Sequence, residues 1–216
     1  MAVRASGLGL HGRLRVALNM NNAALVQKSG GTHHGPAIDI ATWIGATTGE
    51  ELEFVEHPIA HSVVEAATGG WDIAFLAVDP SRKGRMSFSR PYHSVDATLL
   101  VRDTLSDHTC AELLSGDYAI MSAQGAAYHA RLAAISRKSR LLVAASPKEA
   151  RERFLQGEGS ALAGIRETLD AINVSDCIVL KDHFAKIEQA VAMPSQASAQ
   201  MERLNQILLD FLLGKD

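Results

Sequence analysis

Cysteine is scarce in this chain. Of 216 residues only Cys110 and Cys177 are thiols, far apart and in no CxxC or Cys/His spacing. That excludes a disulfide framework and a structural zinc site, so both are expected as free thiols. Long apolar runs are missing too: no window approaches the roughly 18 consecutive apolar residues of a membrane-spanning helix, so no membrane insertion is expected. Nor does one sign of charge dominate. Lys and Arg number 21 against 24 Asp and Glu, with no basic run to track a phosphate backbone, which argues against a nucleic-acid partner. Residues 1–12 lack the apolar core and small-residue cleavage site of a secretory leader. Taken alone, that makes the protein cytoplasmic if the chain is complete as written.

The common catalytic signatures are absent as well. No GxxxxGK[ST], HExxH or GxSxG occurs, leaving phosphate-loop, zincin and hydrolase chemistry without an anchor. Gly7-Leu8-Gly9-Leu10-His11-Gly12 spells GxGxxG, but it precedes the first strand, whereas a dinucleotide site needs it between strand and helix. The adjacent His33 and His34 lie in a Gly-rich loop, where neighbouring residues seldom converge on one ion. No metal and no cofactor are expected.

What the chain does have is 47% hydrophobic residues with 21% charged, enough apolar surface for a core, in a length that suits two lobes of about 100 residues each. Leu14–Leu18 reads as a strand, followed by an Asn- and Gly-rich loop ending at Gly35-Pro36. Pro36 then fits the first turn of a helix that Gly49 stops. Strands follow at Leu52–Glu56 and Asp72–Val78, with a helical stretch through Val63 and Ala67 between them. The pattern repeats with strands at Ala97–Val101, Tyr118–Met121, Leu141–Ala144, Ser160–Ala163, Cys177–Leu180 and Ile187–Met193. Helices are expected from Thr109-x-x-Glu112, over Gly125–Arg137, from Ser146-Pro147-Lys148-Glu149 and at the C-terminus on the face of Met201, Leu204, Ile207, Leu208 and Phe211. Thr109/Glu112 and Ser146/Glu149 both have the capping-box spacing. Such alternation predicts α/β architecture with parallel sheets covered on both faces.

Within residues 70–101, Asp79-Pro80-Ser81-Arg82 is followed by Phe88-Ser89-Arg90-Pro91-Tyr92 and then a strand ending in Leu100-Val101. In this order the segment resembles the amino-acid type of periplasmic solute-binding protein, family 3, whose pattern is T-P-x-R, F-S-x-P-Y and a crossover strand. The resemblance extends to Leu14–Leu18, to Gly35–Ala41, to Gly125-Ala126-Ala127-Tyr128 and to Ser146–Gly164, most of residues 14 to 193.

It implies a type II periplasmic-binding fold: two Rossmann-like αβ lobes with a ligand cleft between them. Lobe one would be 13–91 plus 190–216 and lobe two 97–184, with hinges near 92–96 and 185–189, and closure would capture the solute. By position, Arg82 takes the family's role of gripping the ligand's carboxylate, for which a planar guanidinium suits. Lys83 and Arg85 read as merely solvated. Gln124, Gly125 and Ala126 would offer backbone N–H groups and a helix N-terminus. Asn19, Asn22, Ala77 and Asp79 would line the first lobe, although the asparagines also suit a plain turn.

The family aspartate that meets an ammonium group falls near Ile165 here, with Arg166 beside it, and Asp79 stands where the family has threonine. With Arg166 as a further ligand-binding residue, the missing aspartate favours a second carboxylate on the ligand or a non-amino organic acid, a small anionic metabolite over a neutral amino acid, although Asp79 could supply a negative group. The resemblance further implies a periplasmic monomer, with an ABC permease as partner. Two alternatives share the scaffold: a cyclohexadienyl dehydratase-like lyase, for which His129 and Asp79 are the candidate acid or base, and a ligand-sensing domain.

Overall fold

The computed structural model describes residues 7–9, 12–82 and 84–214. Leu10, His11 and Lys83, which figure in the sequence reading, lie outside the described residues. The chain forms two compact units, Met1–His93 with Glu188–Asp216 and Ser94–Ile187.

The first unit begins with β1 (Arg13–Asn19), followed by β2 (Gln27–Ser29), β3 (Thr32–His34), α1 (Pro36–Thr48), β4 (Glu51–His57), α2 (Ala60–Glu65), β5 (Ile73–Ala77), a 3-10 turn (Pro80–Arg82) and β6 (Met86–Phe88). The chain returns to it along β12 (Ala185–Pro194) and ends in α7 (Met201–Leu213). The sheet order is β4-β1-β5-β12, with β6 on β12. β1 alternates as a strand with both faces covered must. Leu14, Val16 and Leu18 pack with Ile40 and Ile44 of α1 and Leu204 and Ile207 of α7, while Ala17 joins Val63, Ala67 and Trp71 on the other face. The apolar stripe anticipated for the last helix is therefore the one that docks.

Gly35 allows α1 to start where it does. Its φ is 113°, and a Cβ there would lie 2.7 Å from the Leu25 carbonyl oxygen, so a side chain is excluded by both backbone and space. Two features differ from the sequence expectation. Part of the Gly-rich loop is a hairpin, β2 with β3, turned by Gly30 and Gly31 at φ 56° and 83°, a turn that suits two glycines. Its strands are almost wholly exposed, so no apolar alternation marks them. The sheet is also mixed: β4, β1 and β5 run parallel, but β12 is antiparallel to β5 and β6 to β12.

The second unit comprises most of β7 (His93–Arg102), then α3 (Cys110–Ser115), β8 (Ala119–Ala123), α4 (Ala127–Ile135), β9 (Arg140–Ala144), α5 (Pro147–Leu155), β10 (Ala161–Ile165), α6 (Arg166–Asp170) and β11 (Cys177–Val179). Its order is β7-β10-β8-β9, with β11 on β7. β10, β8 and β9 are parallel and β7 is antiparallel to β10. Phe154, fully buried on α5, centres a core with Met121, Ala144, Leu162 and Leu169.

The Thr109/Glu112 capping box forms in full: Thr109 Oγ1 accepts from the Glu112 N–H at 3.2 Å, and Glu112 Oε2 accepts from the Thr109 N–H at 2.7 Å. At α5 only half of the reciprocity is made. Ser146 Oγ accepts from the Glu149 N–H, but Glu149 reaches one residue further back, to the Ala145 N–H.

Cys110 and Cys177 are both free, the first buried and the second partly so. Burial pushes the Cys110 thiol up to about 12, and it lies 3.6 Å from Thr98 Oγ1. A thiolate-detecting disulfide reagent at pH 8 should therefore label Cys177 in the folded, unreduced protein and reach Cys110 only on unfolding, two groups in all. Finding no thiols in the unfolded protein, or equal native rates, would contradict this arrangement.

Candidate functional site

In a parallel α/β sheet, the loops that leave the carboxyl ends of the strands are where ligands are met. In the first unit those ends carry Asn19, His57 and Ala77. Asn19 Oδ1 accepts from the Asn21 N–H at 3.3 Å, and the Asn19 carbonyl accepts from the Asn22 N–H at 3.0 Å. Asn22 in turn accepts, through its carbonyl, from the Leu25 and Val26 N–H groups. Both asparagines thus build the turn after β1.

Beyond β5 the chain folds tightly back on itself. Asp79 Oδ1 accepts from Ser81 N–H and Oγ–H at 2.9 and 2.7 Å, and the Arg82 N–H donates to the Asp79 carbonyl at 3.0 Å. This Asx-type turn carries Arg82 back to the strand it has just left. Its Nη1 donates to the Ala77 carbonyl at 3.1 Å and its Nε stands 3.6 Å from Asp79 Oδ2. Arg82 is 7% exposed, unusual for an arginine. Burial lowers its pKa and the nearby Asp79 carboxylate opposes that shift. Ala77, Asp79 and Arg82 are therefore one constellation, whereas Arg85 is exposed.

His57, not singled out by the sequence reading, ends β4 in register with Asn19 and accepts the Met20 N–H through its carbonyl. Its Nε2 is buried and has no hydrogen-bond partner among the described residues. Burial depresses its pKa below the usual imidazole range. Only the final position in an otherwise ordinary strand signals it.

In the second unit Gln124 is exposed and its N–H donates to the Ala144 carbonyl at 2.9 Å. Gly125 has φ 72°, and a Cβ placed on it would meet nothing within 4 Å; glycine is required by backbone conformation rather than by space. Helix α4 begins at Ala127, two residues later than expected, with Ala126 as an N-cap that supplies no side-chain acceptor. Its first turn contains no acidic residue, so the start of α4 retains the partial positive charge and amide donors that suit an anion. His129 Nδ1 lies 3.0 Å from Ser122 Oγ on β8.

Arg166 does not join that group. Its Nη1 donates to the Leu180 carbonyl and its Nη2 to those of Lys181 and Asp182, all at about 3 Å, and its Nε faces Asp96 at 3.8 Å. These contacts tie down the segment after β11, where Thr98 Oγ1 also reaches the Leu180 and Asp182 carbonyls. Among the described residues no cluster of three or more His, Cys, Asp or Glu could hold a metal. His33 instead contacts Glu56 at 2.9 Å, a carboxylate shared with Lys28.

The profile of the bacterial extracellular solute-binding proteins, family 3, matches residues 14–211, and the chain belongs to that family. Its fold is the type II periplasmic-binding-protein fold. Among solved structures it is similar to the GluR0 ligand-binding core in complex with L-glutamate, at 16% identity over 96% of this chain and 95% of that one, TM-score 0.78. It is also similar to the arginine-bound form of a truncated ArgBP from T. maritima, at 18% identity over 93% and 96%, TM-score 0.76. A third is the ancestral amino acid-binding protein AncCDT-1, a precursor of cyclohexadienyl dehydratase, at 21% identity over 95% and 90%, TM-score 0.74. No curated protein matches the chain significantly. No helix among the described residues is long and apolar enough to cross a membrane.

Two outcomes test these local assignments. Arg166→Ala leaves three backbone carbonyls without their charged donor, so unfolding in urea should show a loss of about 2 kcal/mol or more, which Arg166→Lys recovers only in part. Burial depresses the His57 pKa, so the ring protonates more readily once unfolded. Its stabilising contribution is present above the unfolded pKa, about 6.5, and is lost as pH falls from there through the depressed folded value. Denaturation midpoints at pH 7.5 and 5.5 should therefore differ more in the parent than in His57→Gln.

Proposed function

We propose that this protein captures a small carboxylate-bearing metabolite, an organic acid or an amino-acid-like solute, and does so without catalysing its conversion. The observation that carries the proposal is the buried Arg82 at the carboxyl end of β5, in a chain of the solute-binding family. A guanidinium held there by the Ala77 carbonyl still has N–H donors for a planar carboxylate. The amides at the start of α4 suit the same kind of ligand group, and Asn19, Asn22, Ala77, Asp79, Gln124, Gly125 and Ala126 complete the proposed contacts.

Capture proceeds by closure of two lobes, 13–91 with 190–216 and 97–184, over hinges near 92–96 and 185–189. The proposed setting is periplasmic, in line with the family's extracellular description, with delivery by a monomer to an ABC permease. Arg166 contributes to the proposed site only indirectly, since its hydrogen bonds go to the Leu180, Lys181 and Asp182 carbonyls. A lyase is the second reading, supported by the likeness to AncCDT-1; prephenate consumption by purified protein separates the two.

Calorimetry with a panel of L-amino acids and small organic acids tests the binding role. Arg82→Ala should weaken the best ligand by roughly 30-fold to several thousand-fold, the effect of removing one partner of a buried charge pair. Arg82→Lys should recover little, and Arg85→Ala should change nothing. Undiminished affinity in Arg82→Ala would reject Arg82 as the anchor.

A further inference from the structure

Between Asp117 and Glu149 the chain carries no acidic residue but five cations, Arg131, Arg137, Lys138, Arg140 and Lys148. Four of them lie where α4 hands over to β9. Arg131 is one helical turn before Ile135, Arg137 and Lys138 are in the connecting turn, and Arg140 is the first residue of the strand. All four are exposed, and none makes an ion pair or a side-chain hydrogen bond among the described residues. By contrast, Arg102, Lys148, Arg153, Arg166 and Lys186 of the same unit each face a carboxylate. The α4–β9 corner is therefore a local surplus of positive charge on a chain whose net charge is −3.

The same corner borders a free sheet edge, since the strand order of the second unit ends at β9. The Arg140 N–H donates to the Tyr118 carbonyl and the Ala144 carbonyl accepts from the Gln124 N–H, so residues 140, 142 and 144 turn their backbone groups toward β8. In a parallel ladder the alternate residues point the other way. The N–H and C=O groups of Leu141 and Val143 therefore face outward along the edge. Val143 is 45% exposed and Ile135, at the end of α4, 40%. The edge strand of the first unit, β4, is treated differently: it carries Glu51, Glu53 and Glu56, and charges on an edge discourage pairing. β9 has Leu141, Leu142 and Val143 in succession.

We propose that the β9 edge is a docking surface for an acidic, extended polypeptide segment, which adds to the sheet as a further strand and sets its carboxylates against Arg131, Arg137, Lys138 and Arg140. The added strand pairs with the outward backbone groups of Leu141 and Val143. Its apolar residues cover Val143 and Ile135, and its charges complement the basic corner. Charge also selects among occupants. A second copy pairing β9 with β9 brings two basic clusters together, while β4 of a second copy has Glu53 and Glu56 already engaged by Arg13 and Lys28. A phosphate-rich partner matches the cations but leaves the strand edge unpaired. The surface lies beyond the C-terminal end of α4, and Gln124–Ala126 precede its start, so the proposal does not rest on the solute-capture reading.

The probe is a synthetic peptide of alternating glutamate and valine, blocked at both ends and titrated into the whole protein by calorimetry. It should bind, more weakly as salt is raised, and the counterpart with lysine for glutamate should not. Arg137→Glu combined with Lys138→Glu, both in an exposed turn, should weaken binding by about tenfold or more. Val143→Pro removes an outward N–H without touching the β8 ladder and should have a similar effect. Hydrogen exchange followed by NMR needs no variant: saturating peptide should protect the Leu141 and Val143 amides, which exchange freely without it. The proposal is overturned if the acidic peptide does not bind, if the lysine peptide binds as tightly, or if binding leaves those two amides unprotected. Single-stranded RNA or phosphatidylglycerol vesicles displacing the peptide would overturn the choice of partner, as would a dimer in sedimentation that Val143→Pro dissolves.

Discussion

A buried charge must meet a counter-charge before a fold can close over it, and that constraint governs the end of β5. Arg82 is almost out of solvent, where a lone guanidinium is costly. The chain answers within the segment Ala77–Arg82: the Ala77 carbonyl and the Asp79 carboxylate flank the guanidinium, and the turn that brings it back is pinned by Asp79 and Ser81. The sheet behind it provides the rigidity. Phe75 on β5 is buried and packs edge-on against Tyr92 at 5.9 Å between ring centres, linking the F-S-x-P-Y segment to the strand that carries the arginine.

Elsewhere the same constraint is met by different means. Arg15 is held by Asp72 through Nε and Nη2, with a further bond to the Gly69 carbonyl. In the second unit Arg166 is satisfied mainly by backbone. Each of these guanidiniums has a structural task, and Arg82 differs from them in where it stands: at the carboxyl end of a parallel strand, the edge of an α/β sheet at which ligands are met. That position is what supports the proposal of Arg82 as a ligand anchor.

Much of this was readable from the sequence because local physics dictates it. The apolar alternation of β1, the proline at the start of α1, the Thr109/Glu112 box and the stripe on α7 express preferences that act within a few residues. The order of Asp79-Pro80-Ser81-Arg82 and Phe88-Ser89-Arg90-Pro91-Tyr92 pointed to the family that the chain belongs to. The β2–β3 hairpin was hidden because both strands are exposed and carry no apolar signal. His57 was hidden because its environment, not its neighbours in sequence, buries the ring nitrogen.

The sequence by itself determined the α/β class and the place of Arg82 after a strand, which follow from periodicity and local signals, and its ordered motifs carried the resemblance to the family. Only the tertiary structure decided the direction of β12 and the partners of the charged groups. Whether Arg166 faces a ligand or three carbonyls at Leu180–Asp182 depends on contacts 14 to 16 residues away. Whether Arg82 stands alone or beside a counter-charge depends on how one turn folds back on its strand. Charges act through space, and their balance at a site exists only once the chain has brought them together.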